Sequence, residues 1–511
     1  MDLIHLHPLD NTAVASRDLA QYDRCRFPKG EIISAQSVAS GHKVAVQPIA
    51  KDEPVIKFGE CIGFASQAIS TGSWVHSHNL VAGSFSRDAN ACSAVPDEPK
   101  PILGQTFLGY RRPNGKAGTR NYLAIISNVN CSASVCKAVA RHYGKEVLQR
   151  FPHVDGVVAF THSSGCAIQF GGQHHQILNR TLGGIAKHPN IGGYLLIGLG
   201  CEQATMGHLI EQERLVQIGS TPRNPVERPL VISMQDAGGT AATIRAACQL
   251  VDELLPRVND IRREPIPLNE LILGTNCGGS DAYSGITANP ALGVAADKIV
   301  AAGGTVVLGE TPELFGAEQF LIRRARTAGV AAALNERISW WQWYTGVFGA
   351  TLENNPSPGN KQGGLTTIYE KSLGAMVKGG STALEAVYQY AEQVTAKGLV
   401  VMDTPGFDPV SVTGIVAGGA QVMVFTTGRG SCFGCKPTPS IKVASNTPMY
   451  SRMRDDMDLN AGEVLHGKSV NEMGREIFEE IIAVASGKKT RSEVLEIGDE
   501  EFVPWSIGPT L

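Results

Sequence analysis

LNELILGTNCGGSDAYSGITANPALGVAADKIVAAGG, residues 268–304, is the stretch that decides the fold. LNELILG reads as a buried strand, and PALGVAADKIVAAGG reads as a helix with Pro290 near its first turn. Between them stand Cys277, Gly278, Gly279, Ser280 and Asp281, with no Lys or Arg. A strand that ends in polar, glycine-flanked residues just where a helix begins is the unit of a parallel β/α sheet. In such sheets ligands sit outside the carboxyl ends of the strands.

The same rhythm extends both ways. Upstream, NYLAIIS, GVVAFTH, YLLIGLG and PLVISM read as strands, each followed by a helical segment. Downstream of NDIRREPIP the order restarts with LILGTN, GTVVLGE, GLVVMD, QVMVFTT and SIKVAS. Apolar strands alternating with helices predict two α/β domains with mostly parallel sheets, at 106–262 and 263–511. Residues 1–85 differ: VAVQPIA, VIKFG, CIGFAS and SWVHSH are short strands broken by turns, a small all-β module. SRDANACSAVPDEPKPILGQ, residues 86–105, reads as a linker.

Composition narrows the function. Hydrophobic content of 43% with 18% charged residues describes a soluble globular chain. A formal charge of -3 gives no reason to expect nucleic acid or a membrane as partner. No apolar run reaches a transmembrane length of about 18 residues, and MDLIHLHPLDN lacks the basic and apolar regions of a signal peptide. Eleven cysteines, an odd number, suit free thiols in a reducing cytoplasm. Twelve of 13 histidines lie at or before His208, leaving His466 alone beyond.

Strand ends supply the candidate chemistry. Asp281, Glu310, Glu313 and Asp403 offer oxygen ligands to a divalent metal; His162 and the thiols offer softer ones. Cys131, Cys166, Cys201 and Cys277 hold a metal or cluster only if their sheets converge, and otherwise are buried free thiols. Cys432 and Cys435 form the one C-x-x-C pair, without a partner pair or thioredoxin-like setting. Phosphate-binding loops are absent: GLGCEQ lacks a third glycine. NPSPGNK, residues 355–361, is a stiff loop presenting Asn360 and Lys361, and Arg429 in TGRG is a second carboxylate clamp. In the β module His42, at a turn into a strand, is the candidate general base, its pKa lowered by Lys43. His5/His7 and His76/His78 are H-x-H pairs, each on one strand face.

HPLDNTAVA, GHKVAV, VIKFGECIGFA and GSWVHSHN resemble the N-terminal SAF-type β-clip module of the altronate and galactarate dehydratases. GYRRPNGKAGTRN, IGLGCE, CGGSDAYSGITANPALG, NPSPGNKQGG and VFTTGRG extend the resemblance over nearly the full chain. HPLDN, the H-x-H-N ending and ETPELFGAEQ look closest to the altronate branch, while CFGC departs from the family pattern after TGRG. The resemblance implies a metal-dependent hydro-lyase converting D-altronate to 2-dehydro-3-deoxy-D-gluconate and water, with iron(II) or manganese(II). Galactarate, another aldonate or aldarate, and sulfolactate (with a sulfo-lyase reaction) are alternative substrates. A thiol-redox or ligand-binding protein is the reading from another class.

Loss of water from a hydroxy acid needs charge stabilisation of an enediolate, a base for the α-proton and an acid for the β-hydroxyl. Residue type and position assign Asp281, Glu310, Cys277, His162 and Glu202 to the metal environment. Arg429, Asn360, Asn289 and Ser280 are the expected substrate contacts, with Lys361 also gripping the carboxylate. His42, with His7 or His78 near it, is expected as base or acid. A homodimer is expected because symmetric dimers are the commonest oligomer.

Overall fold

A computed structural model describes residues 1–83, 90–217 and 229–507. The last two residues of the expected β module and the first four of the expected linker lie outside the described residues. The N-terminal segment is all antiparallel. Leu3–Ile4, Thr12–Ala15, Lys43–Ala45 and Trp74–Val75 form one sheet in that order. Pro54–Lys57, Glu60–Ala65 and Leu80–Val81 form a second, and Arg24–Phe27 pairs with Gly30–Ile33.

The middle sheet is parallel, ordered Gly156–Phe160, Tyr122–Ser127, Ile191–Gly198, Leu230–Ser233. Strand alternation puts Leu123 and Ile125 on one face, against the helices Ala133–His142 and Thr240–Asp260. Ala124 and Ile126 face the other way, onto Gln173–Ala186 and Met206–Glu213. Both faces are covered, as continuous apolar strands require. A three-stranded antiparallel sheet joins Ala117–Gly118, Thr106–Arg111 and Arg263–Pro267.

The C-terminal sheet has seven parallel strands. Their order is Leu384–Tyr388, Gly398–Met402, Thr305–Leu308, Ile272–Cys277, Val422–Thr427, Ser440–Ala444, Leu459–Asn460. One face packs on the helices Ala288–Ala301 and Val470–Ala485. The other packs on Asp408–Ala417, and the same apolar cluster continues into the middle sheet. Helix Gln173–Ala186 meets Asp408–Ala417 at Gly184, where a Cβ would stand 2.3 Å from the Ala417 carbonyl oxygen. The two α/β sheets therefore share one core layer.

Two elements depart from expectation. GAEQFLIRRARTAG is not one helix: Glu318–Arg323 ends where Ala325 bridges to Leu384, and Thr327 caps the next helix, Ala328–Val347. LEAVY becomes a strand despite its weak pattern, because it needs only one neighbour at the sheet edge and is half-buried. Among the described residues no helix is long and apolar enough to cross a membrane.

Candidate active site

The chain leaves Ile272–Cys277 to build one half of its sheet and returns to lay Val422–Thr427 on the other side. That pair is the topological switch point, where open parallel sheets leave a crevice. The loops after the two strands are tied together there. Gly428 N–H and Arg429 N–H both donate to the Gly279 carbonyl, at 3.1 and 2.7 Å. Gly428 is required, since a Cβ would fall 2.1 Å from Asp281 Cγ.

Asp281 is buried under this loop, and its oxygens are occupied. Oδ1 accepts from Ser284 N–H (2.8 Å), Ser284 Oγ (2.9 Å) and Ser445 Oγ (2.7 Å), and Oδ2 accepts from Asn446 Nδ2 (2.9 Å). Burial raises its pKa against those donors. Asp281 thus ties the loops together, with Oδ2 accepting only one of the four bonds.

On one side of the segment Cys277–Ser284 lies a buried charged cluster. Ligand atoms of Cys277, Glu310 and Glu313 fall within 4.8 Å of one another. Lys378 Nζ sits 2.8 Å from Cys277 Sγ and 2.5 Å from Glu310 Oε2. Lys371 Nζ binds Glu313 Oε1 at 2.7 Å and Asn355 Oδ1 at 2.9 Å. Burial, then the Glu310 charge, pushes the Cys277 thiol up to about 12. Burial also raises Glu310, against the pull of Lys378, to about 6. Asp408, which accepts from Asn276 Nδ2 at 3.0 Å, is driven up to about 8 by burial and then by the two glutamates. Glu310 itself holds φ 60°, left-handed for a side-chain-bearing residue.

This donor set suits a borderline divalent ion, and the fit has independent support. Ser280 Oγ and Asn276 Oδ1, both buried beside Cys277, have no hydrogen-bond partner. Ser280, Cys277 and Lys371 line a cavity of about 10 Å³, room for a water-sized group. An ion would take the place between sulfur and carboxylate that the Lys378 ammonium fills.

On the other side of the segment, Asp281, Tyr283, Gln362, Arg429, Asn446, Arg452 and His466 line a cleft of about 480 Å³. Ser40 of the β module lies on its rim, its Oγ 2.6 Å from Tyr283 Oη. Two guanidiniums in one concavity suit a carboxylate.

The β module is fastened beside this cleft. Lys43 Nζ and Lys57 Nζ each reach Glu370, at 2.8 Å, with all three side chains buried. The His42, Trp74, His76 and His78 rings gather beside the helix Pro358–Gln362. His42 Nδ1 accepts from Trp74 Nε1 (3.1 Å), so Nε2 donates to the Gln362 carbonyl (3.2 Å). Burial, more than Lys43, lowers its pKa. Neither nitrogen is open, which makes His42 a staple rather than a free base. His76 does the same toward the Lys361 carbonyl at 2.9 Å, and burial lowers its pKa to about 4.

The other expected residues sort by position. His78 is exposed over Trp74, whereas His7 caps its own turn, where Leu9 N–H donates to Nδ1, and has no contact with His42. Asn360 bonds Ser357 and the Ser280 carbonyl, and Asn289 bonds the Gly374 carbonyl and Thr426. Both tie loops together in this structure. His162 and Glu202 belong to the middle sheet. His162 donates to the Ser127 carbonyl, and Glu202 accepts from Asn128 and Gly200. Both tie their loops to the end of the strand Tyr122–Ser127, not to Glu310. Sequence reading missed Lys371, Lys378, Asp408, Asn446 and Arg452; only Asp408, shortly after the strand Gly398–Met402, carried a positional signal.

Three family models match in order. They are the altronate/galactarate dehydratase SAF domain (residues 1–83), the D-galactarate dehydratase/altronate hydrolase second domain (109–259) and the D-galactarate/altronate dehydratase C-terminal domain (268–510). The chain is 37% identical to galactarate dehydratase (L-threo-forming) of Escherichia coli, over 95% of this chain and 93% of that one. It is 36% identical to the altronate dehydratase of Escherichia coli, covering 96% and 97%, and to that of Bacillus subtilis, covering 99% of both. Fold, site and matches define an enzyme, a hydro-lyase that dehydrates a sugar acid. Relatives at this identity over nearly full length leave no ambiguity of family: the chain belongs to the altronate/galactarate dehydratases.

Proposed function

We propose that the substrate is a six-carbon aldonate, D-altronate in the first instance, and the product 2-dehydro-3-deoxy-D-gluconate. One observation carries this reading: an arginine-lined cleft and a Cys–Glu–Glu donor set lie on opposite sides of the same segment, Cys277–Ser284. The cleft has room for a hexonate; the cavity beside Cys277 does not. Arg429 and Arg452 grip the carboxylate, and Asn446 and Gln362 offer partners to its hydroxyls. His466, whose ring lines the cleft, is the base for the α-proton. Cys277, Glu310 and Glu313 would hold iron(II) or manganese(II), which supplies positive charge for the enediolate. Asp408, protonated at neutral pH, holds a proton beside that set. Substrate binding must part the segment between the two spaces, in which Gly278 and Gly279 stand side by side.

The test is keto-acid formation from a panel of aldonates and aldarates, before and after chelation. D-altronate turnover lost on chelation and restored by iron(II) or manganese(II) supports the reading. Turnover that survives chelation, or a clear preference for galactarate, would overturn it. We further propose domain divisions at residues 85, 105 and 262, a homodimer, and a cytoplasmic location, which the eleven free cysteines suit.

A further inference from the structure

Three thiols take no part in the site above. Cys131, Cys166 and Cys201 are all exposed. They follow, within a few residues, the three adjacent strands Tyr122–Ser127, Gly156–Phe160 and Ile191–Gly198. Their loops are interlocked at the switch point of the middle sheet. Asn130 N–H donates to the Ser164 carbonyl at 2.9 Å, and Ala204 N–H to the Gly165 carbonyl at 3.0 Å. Asn128 Nδ2 donates to Glu202 Oε1 at 3.2 Å, and His162 Nε2 to the Ser127 carbonyl at 3.0 Å. Gly165 permits this meeting, since a Cβ there would stand 2.7 Å from the Asn128 carbonyl oxygen. Asn128 is fully buried beneath the three loops, and its Oδ1 lacks a partner.

We propose that Cys131, Cys166 and Cys201 together ligate an iron–sulfur cluster at the carboxyl end of the middle sheet. Three thiolates on fixed loops match the ligands such clusters take. A single zinc fits less well. Zinc–sulfur bonds of about 2.3 Å put tetrahedral sulfurs about 3.8 Å apart. Among the described residues only the Cys277 set brings its ligand atoms within 4.8 Å of one another. A cubane cluster binds each thiolate through a different iron and spreads them wider. A reactive redox thiol is commonly activated by a neighbouring Lys or Arg, and residues 121–136, 156–179 and 191–213 contain neither. Gln235 Nε2 approaches Cys201 Sγ at 3.6 Å, an amide contact to sulfur of the kind that tunes cluster potential. Three thiolates on a four-iron cluster leave one iron for water or a hydroxy-acid oxygen.

The experiment is anaerobic purification of the full chain, then reconstitution with ferrous iron and sulfide. Visible absorption, paramagnetic resonance after reduction, and iron and labile sulfide content are read. The expected content is about four of each per chain. The signal should vanish in Cys131→Ser, Cys166→Ser and Cys201→Ser, each checked for folding by circular dichroism, and persist in Cys248→Ser. It should also persist in Glu310→Gln, so failure of the dehydration reading leaves this one intact. Zinc alone, no cluster, or a cluster indifferent to the three serine variants would overturn it.

Discussion

At the carboxyl end of the middle sheet, Cys131, Cys166 and Cys201 stand exposed, each in a short segment of sequence without Lys or Arg. At the matching end of the C-terminal sheet, Cys277 is buried among Glu310, Glu313, Lys371 and Lys378. Both ends are switch points of parallel sheets, and both put a thiol at or a few residues past a strand's carboxyl end. Topology therefore selects where chemistry happens, and burial with paired charge selects what the thiol is. Cys277 stays protonated until something positive displaces Lys378; the other three are free to meet soft metal from solvent.

The largest effect that sharpens this contrast falls on turnover. Glu310→Gln removes one oxygen donor and the partner of Lys378, and is expected to cut kcat for dehydration by about 10²–10³-fold, while Cys131→Ser leaves the Cys277 set intact. Steady-state keto-acid assays read it; turnover within a few-fold of the parent would break the assignment. Alkylation comes next. In chelator-treated, folded protein, mass mapping after iodoacetamide should find Cys131, Cys166 and Cys201 labelled and Cys277, with its thiol at about 12, labelled only on unfolding. Equal labelling of all four would erase the distinction.

Stability of the module's attachment is third. Glu370→Gln leaves Lys43 and Lys57 buried without their anion and should cost about 3–5 kcal/mol in denaturant melts. Burial pushes the Glu370 carboxyl up, but the two lysines outweigh it, and the folded-state value lies below the ordinary 4.5. A depressed carboxylate stabilises above its unfolded value and loses that contribution as pH falls through the folded one. The gap between parent and variant is therefore full at neutral pH and should close as pH drops below 4.5. A gap that widens in acid would show that Glu370 is not held as an anion. The smallest effect belongs to the cleft: Arg429→Met should raise KM about tenfold with kcat little changed, the mark of uniform binding loss. An unchanged KM would remove Arg429 from substrate binding.

The strand ends were readable one at a time, and Cys277 and Glu310 came from that reading. In one dimension, however, the two sheets' ends look alike. His162 and Glu202 were therefore assigned to a site that the fold keeps on another sheet. Lys43 and Glu370 are 327 residues apart, and Lys378 reaches Cys277 across 101; neither pairing leaves a local pattern. His42 looked like a base because a lone turn imidazole beside a lysine is chemically suggestive. Its engagement by Trp74 and Gln362 depends on a helix from the far end of the chain. The clasp at Asp281 was hidden for a similar reason, since Ser445 and Asn446 arrive from more than 160 residues away.

The Gly184–Ala417 contact limits how this chain can be recombined. Where two helices from different sheets touch through a residue with no side chain, neither sheet can be transplanted alone. A chimera carrying another protein's middle segment would need a bare backbone at that point, or the graft would pry the catalytic half away from its own support.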